Sequence, residues 1–513
     1  MELLRRNRFC MGVKRGNEYR CGGEADEVAK SKAVNLIVEA IRRMRRWRVW
    51  ETWWIEEWMD EWLETRDRLE TQLRGKYNNE IINDITGLVD RFIGYSEQSL
   101  NYWRDVGGEA KKLLEDLLSG RSEVIIWSNE GGVSVYHEFI TLEAHRTSTD
   151  GVTVQLSLEG LEGVTIRVSD VFRKTMSRKE YRKFINKVLK ALKGGLEEAD
   201  GFNSEGKATM GTTQTWQAIV WSLLYPGKTR AHIDNVNVNN SNVTITWCLR
   251  SSHKPLKGKI LGNADKLGEE ELLAFMLGVV LGDGWVGKTV ITITMSDEKL
   301  KAWEPLFERL KSMGFRSAKP NSNKSSVVQV PFFSDNAIGL ARAMISVLPP
   351  ILRDVLDALA FEKWLNLRRI AEMEVKYRRG EMQVDVAGYK FTVKIQKGTV
   401  MLTHWTKDDA EVKKVINALR ARYGDEFHAY VNRSGKYLII RIPMHVFEEY
   451  DDIKAQVIKV LCKKLEKTKD EKKKQIITKH LMRLTTPTKE AAAANHTQPS
   501  LPWTQYRCTG AIW

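Results

Sequence analysis

The sequence predicts an α+β protein of several folded units, and three observations carry that expectation. Trp50, Trp54, Trp58 and Trp62 recur every fourth residue near the N-terminus, which is the spacing of one helical face. Between residues 123 and 171 the apolar residues alternate instead, as in Val133 and Val135 or Val152, Val154 and Leu156, with glycine-bearing turns between the runs, the pattern of half-buried strands. From residue 268 onward, helical and strand patterns follow one another in an order that occurs twice, which reads as an internal repeat.

Taken in order, residues 1–120 read as a Trp-rich helical region. A long helix over 25–76 carries the tryptophan stripe, and a second helix over 79–119 ends at Gly120 and pairs with it as a hairpin. Arg42, Arg43, Arg45, Arg46 and Arg48 precede an acidic stretch running from Glu51 to Glu64, so the first helix is charge-polarised and is also a candidate for self-association. Residues 121–255 read as a smaller α+β domain: strands over 123–171, a basic helix over 177–195, a loop over 200–211, a short helix over 216–224 and two strands to Arg250. A linker with Lys254, Lys257 and Lys259 follows. Residues 256–465 hold the repeat, a pseudo-twofold αββαββα arrangement with its first copy over 270–346 and its second over 351–465. The basic stretch from 466 to 513 reads as a fraying helix and a disordered end.

A chain with 81 Lys and Arg against 66 Asp and Glu, a formal charge of +15, favours polyanionic partners through phosphate neutralisation. No apolar run is long enough to span a bilayer, and the basic N-terminus leads into no secretory segment, so a cytoplasmic location without membrane contact is expected. Cys10, Cys21, Cys248, Cys462 and Cys508 are odd in number and scattered, the usage of reduced thiols rather than of a disulfide framework. Cys10 and Cys21 have no second Cys or His pair at zinc-site spacing.

The segment Glu269 to Val286 carries the most chemistry. Three acids open it, where a helix N-terminus welcomes negative charge, and an apolar run leads to Gly282, Asp283 and Gly284. Gly278 and Gly282 stand four apart on one helical face, so a second helix can pack there at close backbone approach. Asp283 then lies at the helix C-terminus, a seat for a hard cation such as Mg²⁺. Met276 to Gly284 resembles the nine-residue motif of LAGLIDADG homing endonucleases. The resemblance implies that Asp283 is a catalytic metal ligand, that Gly278 and Gly282 are helix-packing residues, and that curved antiparallel sheets lie along double-stranded DNA. Such a centre needs two acids, one for each strand's cleavage chemistry. The second copy has no Gly-Asp-Gly, and Asp385, three residues before Gly388, is the positional substitute as a metal ligand. Groove-facing candidates are Lys288 and Arg316 in the first copy and Lys390, Lys394, His428, Arg433, Lys436 and Arg441 in the second. Alternation puts Lys390, Thr392 and Lys394 on one strand face.

A broader likeness runs through Asp200-Gly201-Phe202, Ser204-Glu205-Gly206, Met210-Gly211, Gln214, Trp216-Gln217 and Trp221 to Gly227. These residues resemble the multicopy PaRep proteins of hyperthermophilic Crenarchaea, in their two-b branch, which implies an archaeal mobile-element origin and no defined activity. The expectation is a DNA-binding protein of LAGLIDADG-like build with one acidic motif intact and catalysis decayed, using Mg²⁺ if active. Two readings compete. Gly282 to Thr289 satisfies the P-loop pattern of an NTP-binding enzyme, which requires a helix starting near Lys288. A non-enzymatic interaction protein assembled through the tryptophan helix is the third.

Overall fold

The structure, a computed structural model, describes residues 2–15, 18–127, 131–147, 151–322, 327–374, 382–396, 398–435, 437–468 and 470–486. It is α+β, and it divides into two compact units, Met1–Met373 and Glu374–Trp513.

In the first unit the single long helix expected over 25–76 is two, Glu27–Trp47 and Trp53–Leu73; Trp54, Trp58 and Trp62 of the stripe lie on the second, and Trp50 in the turn between them. Arg48 sits in the left-handed region at φ 45°, which ends the first helix. The indoles of Trp53 and Trp54 then donate to the freed carbonyls of Trp47 (2.9 Å) and Val49 (3.0 Å), so the break leaves those acceptors satisfied. The stripe is consumed inside the unit. Trp62 stacks on Phe92 of the helix Asn79–Ser119 with ring centroids 4.5 Å apart, and Trp58 lies 4.5 Å from Trp247. That second long helix starts and stops where its caps dictate: the Asn78 side chain accepts from the Ile81 N–H, and Gly120 takes φ 78°.

The largest sheet has eleven strands and begins with an N-terminal hairpin, Arg8–Arg15 and Glu18–Glu24, a correction to the expectation of a helical region over 1–120. Cys10 and Cys21 form a disulfide across it, a correction to the expectation of reduced thiols; they are not register partners, since Cys10 pairs with Glu24 and Cys21 with Gly12, but the register shift at Met11 and Gly12 lies between them and their Cα atoms are 5.5 Å apart. The strands at the far end of this sheet matter most for the site. Gly201–Ser204, Lys207–Thr212, Gly227–Val238 and Val243–Ser251 pair in the order first, second, fourth, third, and the helix Thr215–Leu224 lies between the two hairpins in sequence. The expected loop over 200–211 is thus the first of these hairpins.

The same order recurs in the second sheet. Gly284–Val286, Val290–Ser296, Asn321–Ser322 and Val327–Phe333 also pair as first, second, fourth, third, with the helix Asp297–Ser312 between the hairpins and Ser334–Ser346 after them. The expected helix over 351–371 is split into Pro350–Leu359 and Glu362–Glu372, because Ala360 adopts φ 51° and closes the first piece.

The second unit is built on a five-stranded sheet. Its strands Tyr389–Ile395, Val400–Thr406, Tyr430–Ser434 and Tyr437–Pro443 show the same pairing order, with Gln383–Val386 added beside the first. The helices Asp409–Tyr423, Asp451–Lys467 and Glu471–Thr485 cover one face, burying Phe391, Val393, Leu402, Ile440, Ile442, Val457 and Leu461 against it. The tail is therefore helical as far as Thr485. No helix among the described residues is long and apolar enough to cross a membrane.

Candidate functional site

Two helices of the first unit, Lys190–Ala199 and Glu269–Leu281, meet at backbone contact. A Cβ added at Gly278 would lie 2.3 Å from the Leu192 carbonyl oxygen and 2.7 Å from the Leu196 nitrogen; one at Gly195 would lie 2.0 Å from the Phe275 oxygen. One at Gly282 would lie 2.3 Å from Ala199 Cβ. Only glycine permits this approach, and it is made reciprocally by the two helices. Leu192, Leu196, Phe275, Leu277 and Val279 seal the contact from water.

Each helix ends in a carboxylate followed by an edge strand, Gly201–Ser204 of the eleven-stranded sheet and Gly284–Val286 of the four-stranded one. Asp200 caps the first and Asp283 follows the second, and the virtual Cβ at Gly282 lies 2.9 Å from Asp200 Oδ2, so the two helix ends are adjacent. Burial pushes the Asp200 carboxyl above its usual value, and the neighbouring Asp283 charge pushes it further; a bond from Gln217 Nε2 (2.7 Å), Lys363 and Lys257 act in the opposite direction. Lysines crowd the same ends. Lys363 Nζ donates to the Leu281 (2.8 Å) and Gly282 carbonyls, Lys299 Nζ to the Glu198 carbonyl (2.8 Å), and Lys257 Nζ to the Gly201 carbonyl (2.6 Å). The Lys363 and Lys299 amines satisfy helix-end acceptors that would otherwise be orphaned, and Lys257 bonds the strand residue that follows Asp200. Burial lowers the Lys363 amine from its ordinary value, and the charges of Asp200 and Asp283 oppose that shift. Lys299 also stands 3.9 Å from Asp283 Oδ2.

Two carboxylates held close enough to repel form a hard-oxygen donor set, and a divalent cation relieves that repulsion. Mg²⁺ needs little more from a protein, since it keeps waters and takes substrate phosphate oxygens for the rest of its shell. Asp200 and Asp283 are the residues that could hold such an ion, and the amines of Lys299 and Lys363 compete with it for their charge.

Asp385 belongs to the second unit. Its carboxylate accepts from the Gly388 N–H and from Lys390 Nζ, both at 2.9 Å, and these bonds, with Lys390 first, hold it below the usual range. Of the groove-facing candidates, Lys288 is in the turn between two strands and Arg316 in the segment after a helix, its N–H donating to Asn336 Oδ1. Lys390, Lys394 and Arg441 share the open face of the second unit's sheet. Arg433 is in register with buried Leu438 and so lies on the other face, because directly paired residues point the same way. His428 is exposed just before its strand, and Lys436 lies outside the described residues.

The sequence reading missed Asp200 and a basic strip on the first unit's large sheet. Arg167 pairs with Lys228, and Arg230 pairs with Arg250, placing four cations on adjacent strands of one open face; Arg250 is bonded to Glu205. Asp200 did leave a signal. Gly195, four residues, Asp200, Gly201, Phe202 repeats the spacing of Gly278, four residues, Asp283, Gly284, Trp285. The P-loop geometry is absent: Gly282 closes a helix, Gly284–Val286 and Val290–Ser296 form a hairpin, and the Gly287 N–H bonds to the Val290 carbonyl where a helix would have to begin. Comparison with known proteins finds no family model and no curated protein that matches this chain.

Proposed function

We propose that the first unit is a LAGLIDADG-like DNA-binding and phosphodiester-cleaving unit whose two acids are Asp200 and Asp283. The observation that carries this reading is the helix pair: two helices in glycine-mediated contact, each delivering one carboxylate to a shared edge and each followed by four strands paired in the same order, the first set at the end of the eleven-stranded sheet and the second a sheet of its own. The two repeats are then residues 190–251 and 269–346. The expectation of a decayed centre rested on a single acid; in this reading Asp200 is the second.

In this reading Asp200 and Asp283 would hold Mg²⁺, which when bound compensates phosphate charge and acidifies an attacking water. Gln217 keeps Asp200 oriented. Lys363 and Lys299 hold the helix ends, Lys257 holds the strand residue after Asp200, and all three place positive charge where a phosphate would approach. The strip from Arg167 to Arg250 would neutralise backbone phosphates of duplex DNA.

The test is supercoiled plasmid with Mg²⁺, scored for nicked and linear products. Wild type should cleave, and Asp200→Asn and Asp283→Asn should each abolish cleavage while duplex binding persists with its salt dependence. Cleavage surviving in both variants, or duplex binding that is flat with salt, would sink the reading.

A further inference from the structure

We propose that the open face of the second unit's sheet is a platform for single-stranded nucleic acid, a function separate from the helix-pair centre and not resting on it. Helices cover one face of this sheet. The other carries an unusual pair of features together, exposed aromatic rings and cations.

Trp405 is 47% exposed, Tyr430 53% and Tyr437 36%, far more than a ring retains when it serves a core. Trp405 and Tyr437 lie with centroids 6.0 Å apart at 70°, so their faces are offered in different directions. Lys394 Nζ stands 5.5 Å from the Trp405 ring, and Lys407 Nζ 5.1 Å from that of Tyr437. Tyr430 is in register with Arg441, which is in register with Thr403, so the tyrosine and the guanidinium continue the same surface across neighbouring strands.

Charge complementarity selects the partner. The four strands from Tyr389–Ile395 to Tyr437–Pro443 contain no Asp or Glu. Asp385, on the added strand, is bonded to Lys390. A polyanion is therefore favoured over an acid-neutral protein surface. The rings then choose among polyanions. In a duplex both faces of an interior base are already stacked, whereas an unpaired base offers its π-face to an indole or phenol, with phosphates left for the flanking cations. The contrast within the chain supports the assignment: the open face of the sheet Gly284–Phe333 also exposes Trp285 and Phe333, but its strands carry no Lys or Arg.

Full-length protein would be titrated into fluorescently labelled oligothymidylate and oligouridylate of about 15 nucleotides, and into a duplex of equal length, following anisotropy. Wild type should bind the single strands, and Trp405→Ala should weaken that binding about tenfold while changing duplex binding little. Lys394→Gln should reduce the single-strand salt slope by about 0.7. The two oligonucleotides separate DNA from RNA as the natural ligand. Asp200→Asn should bind single strands as wild type does, so failure of the cleavage reading leaves this one standing. If Trp405→Ala lowers the melting temperature, Tyr430→Ser on the exposed edge strand is the deciding variant. Unchanged single-strand affinity in the deciding variant, or equal losses on single strand and duplex, would overturn the proposal.

Discussion

Gly278→Ala probes the backbone contact on which the helix pair depends. The added methyl would meet the Leu192 oxygen at 2.3 Å and the Leu196 nitrogen at 2.7 Å. Both are main-chain atoms, so no rotamer change can relieve the overlap, and reaching an ordinary separation of about 3.5 Å requires the helices to part by about 1 Å. Overpacking of this kind costs about 1–3 kcal/mol, whereas alanine in place of glycine inside a helix contributes about 1 kcal/mol in propensity. Gly94 isolates the propensity effect, because it is exposed on the helix Asn79–Ser119 and a Cβ there meets nothing within 4 Å. Gly94→Ala should raise stability by about 1 kcal/mol, and the two alanine variants should differ by about 1–3 kcal/mol. Scanning calorimetry of both in the full chain measures the difference directly. A Gly278→Ala protein as stabilised as Gly94→Ala would refute the close contact, and with it the adjacency of the two helix ends.

Three further outcomes are expected. Asp283→Asn removes the like charge beside Asp200, so the Asp200 carboxyl should titrate lower than in wild type; carbon-13 NMR of that side chain reads the midpoint, and no movement would mean the two acids do not face each other. The wild-type sign follows from the raised value: the contribution to stability is complete below the unfolded pKa and is lost as pH rises through the folded one. Lys193 is buried over the Tyr225 ring at 4.4 Å, and burial lowers its amine to about 8 against the pull of Glu197 and Asp170. Its stabilising contribution is therefore full above the unfolded value of about 10.4 and lost as pH falls through the folded value, so Lys193→Met should be more stable than wild type at pH 7, by up to about 3 kcal/mol, with the gap closing toward alkaline pH in urea titrations. Asn78→Ala deletes the side-chain acceptor for the Ile81 N–H and should cost about 1 kcal/mol in the same unfolding measurements, with Asn78→Ser restoring most of it.

Local signals in the chain were sufficient for those features whose physics is local. Periodicity located the helix Asn79–Ser119 and its Gly120 stop, the strands before Val168, and the order of elements from Glu269 to Ser346, because side-chain spacing and caps act within a few residues. The spacing of Gly278 and Gly282 signalled a packing helix without saying which one. The break at Arg48 was invisible because a left-handed arginine is held by the indole bonds around it rather than by its own preference. The N-terminal hairpin depends on a parallel partner, Glu123–Trp127, more than a hundred residues away along the chain.

What the sequence by itself determined, then, is the α+β class, the positive charge and one acid at a glycine-flanked helix end. Only tertiary structure decided that Asp200 lies beside Asp283, that the tryptophan stripe faces inward onto Phe92 and Trp247, and that Lys390, Lys394 and Arg441 share a face from which Arg433 is excluded. The reason is the same in each case: which helices touch, and which side of a strand meets the core, are settled by the joint burial of surfaces far apart in sequence, and no single segment encodes its partner.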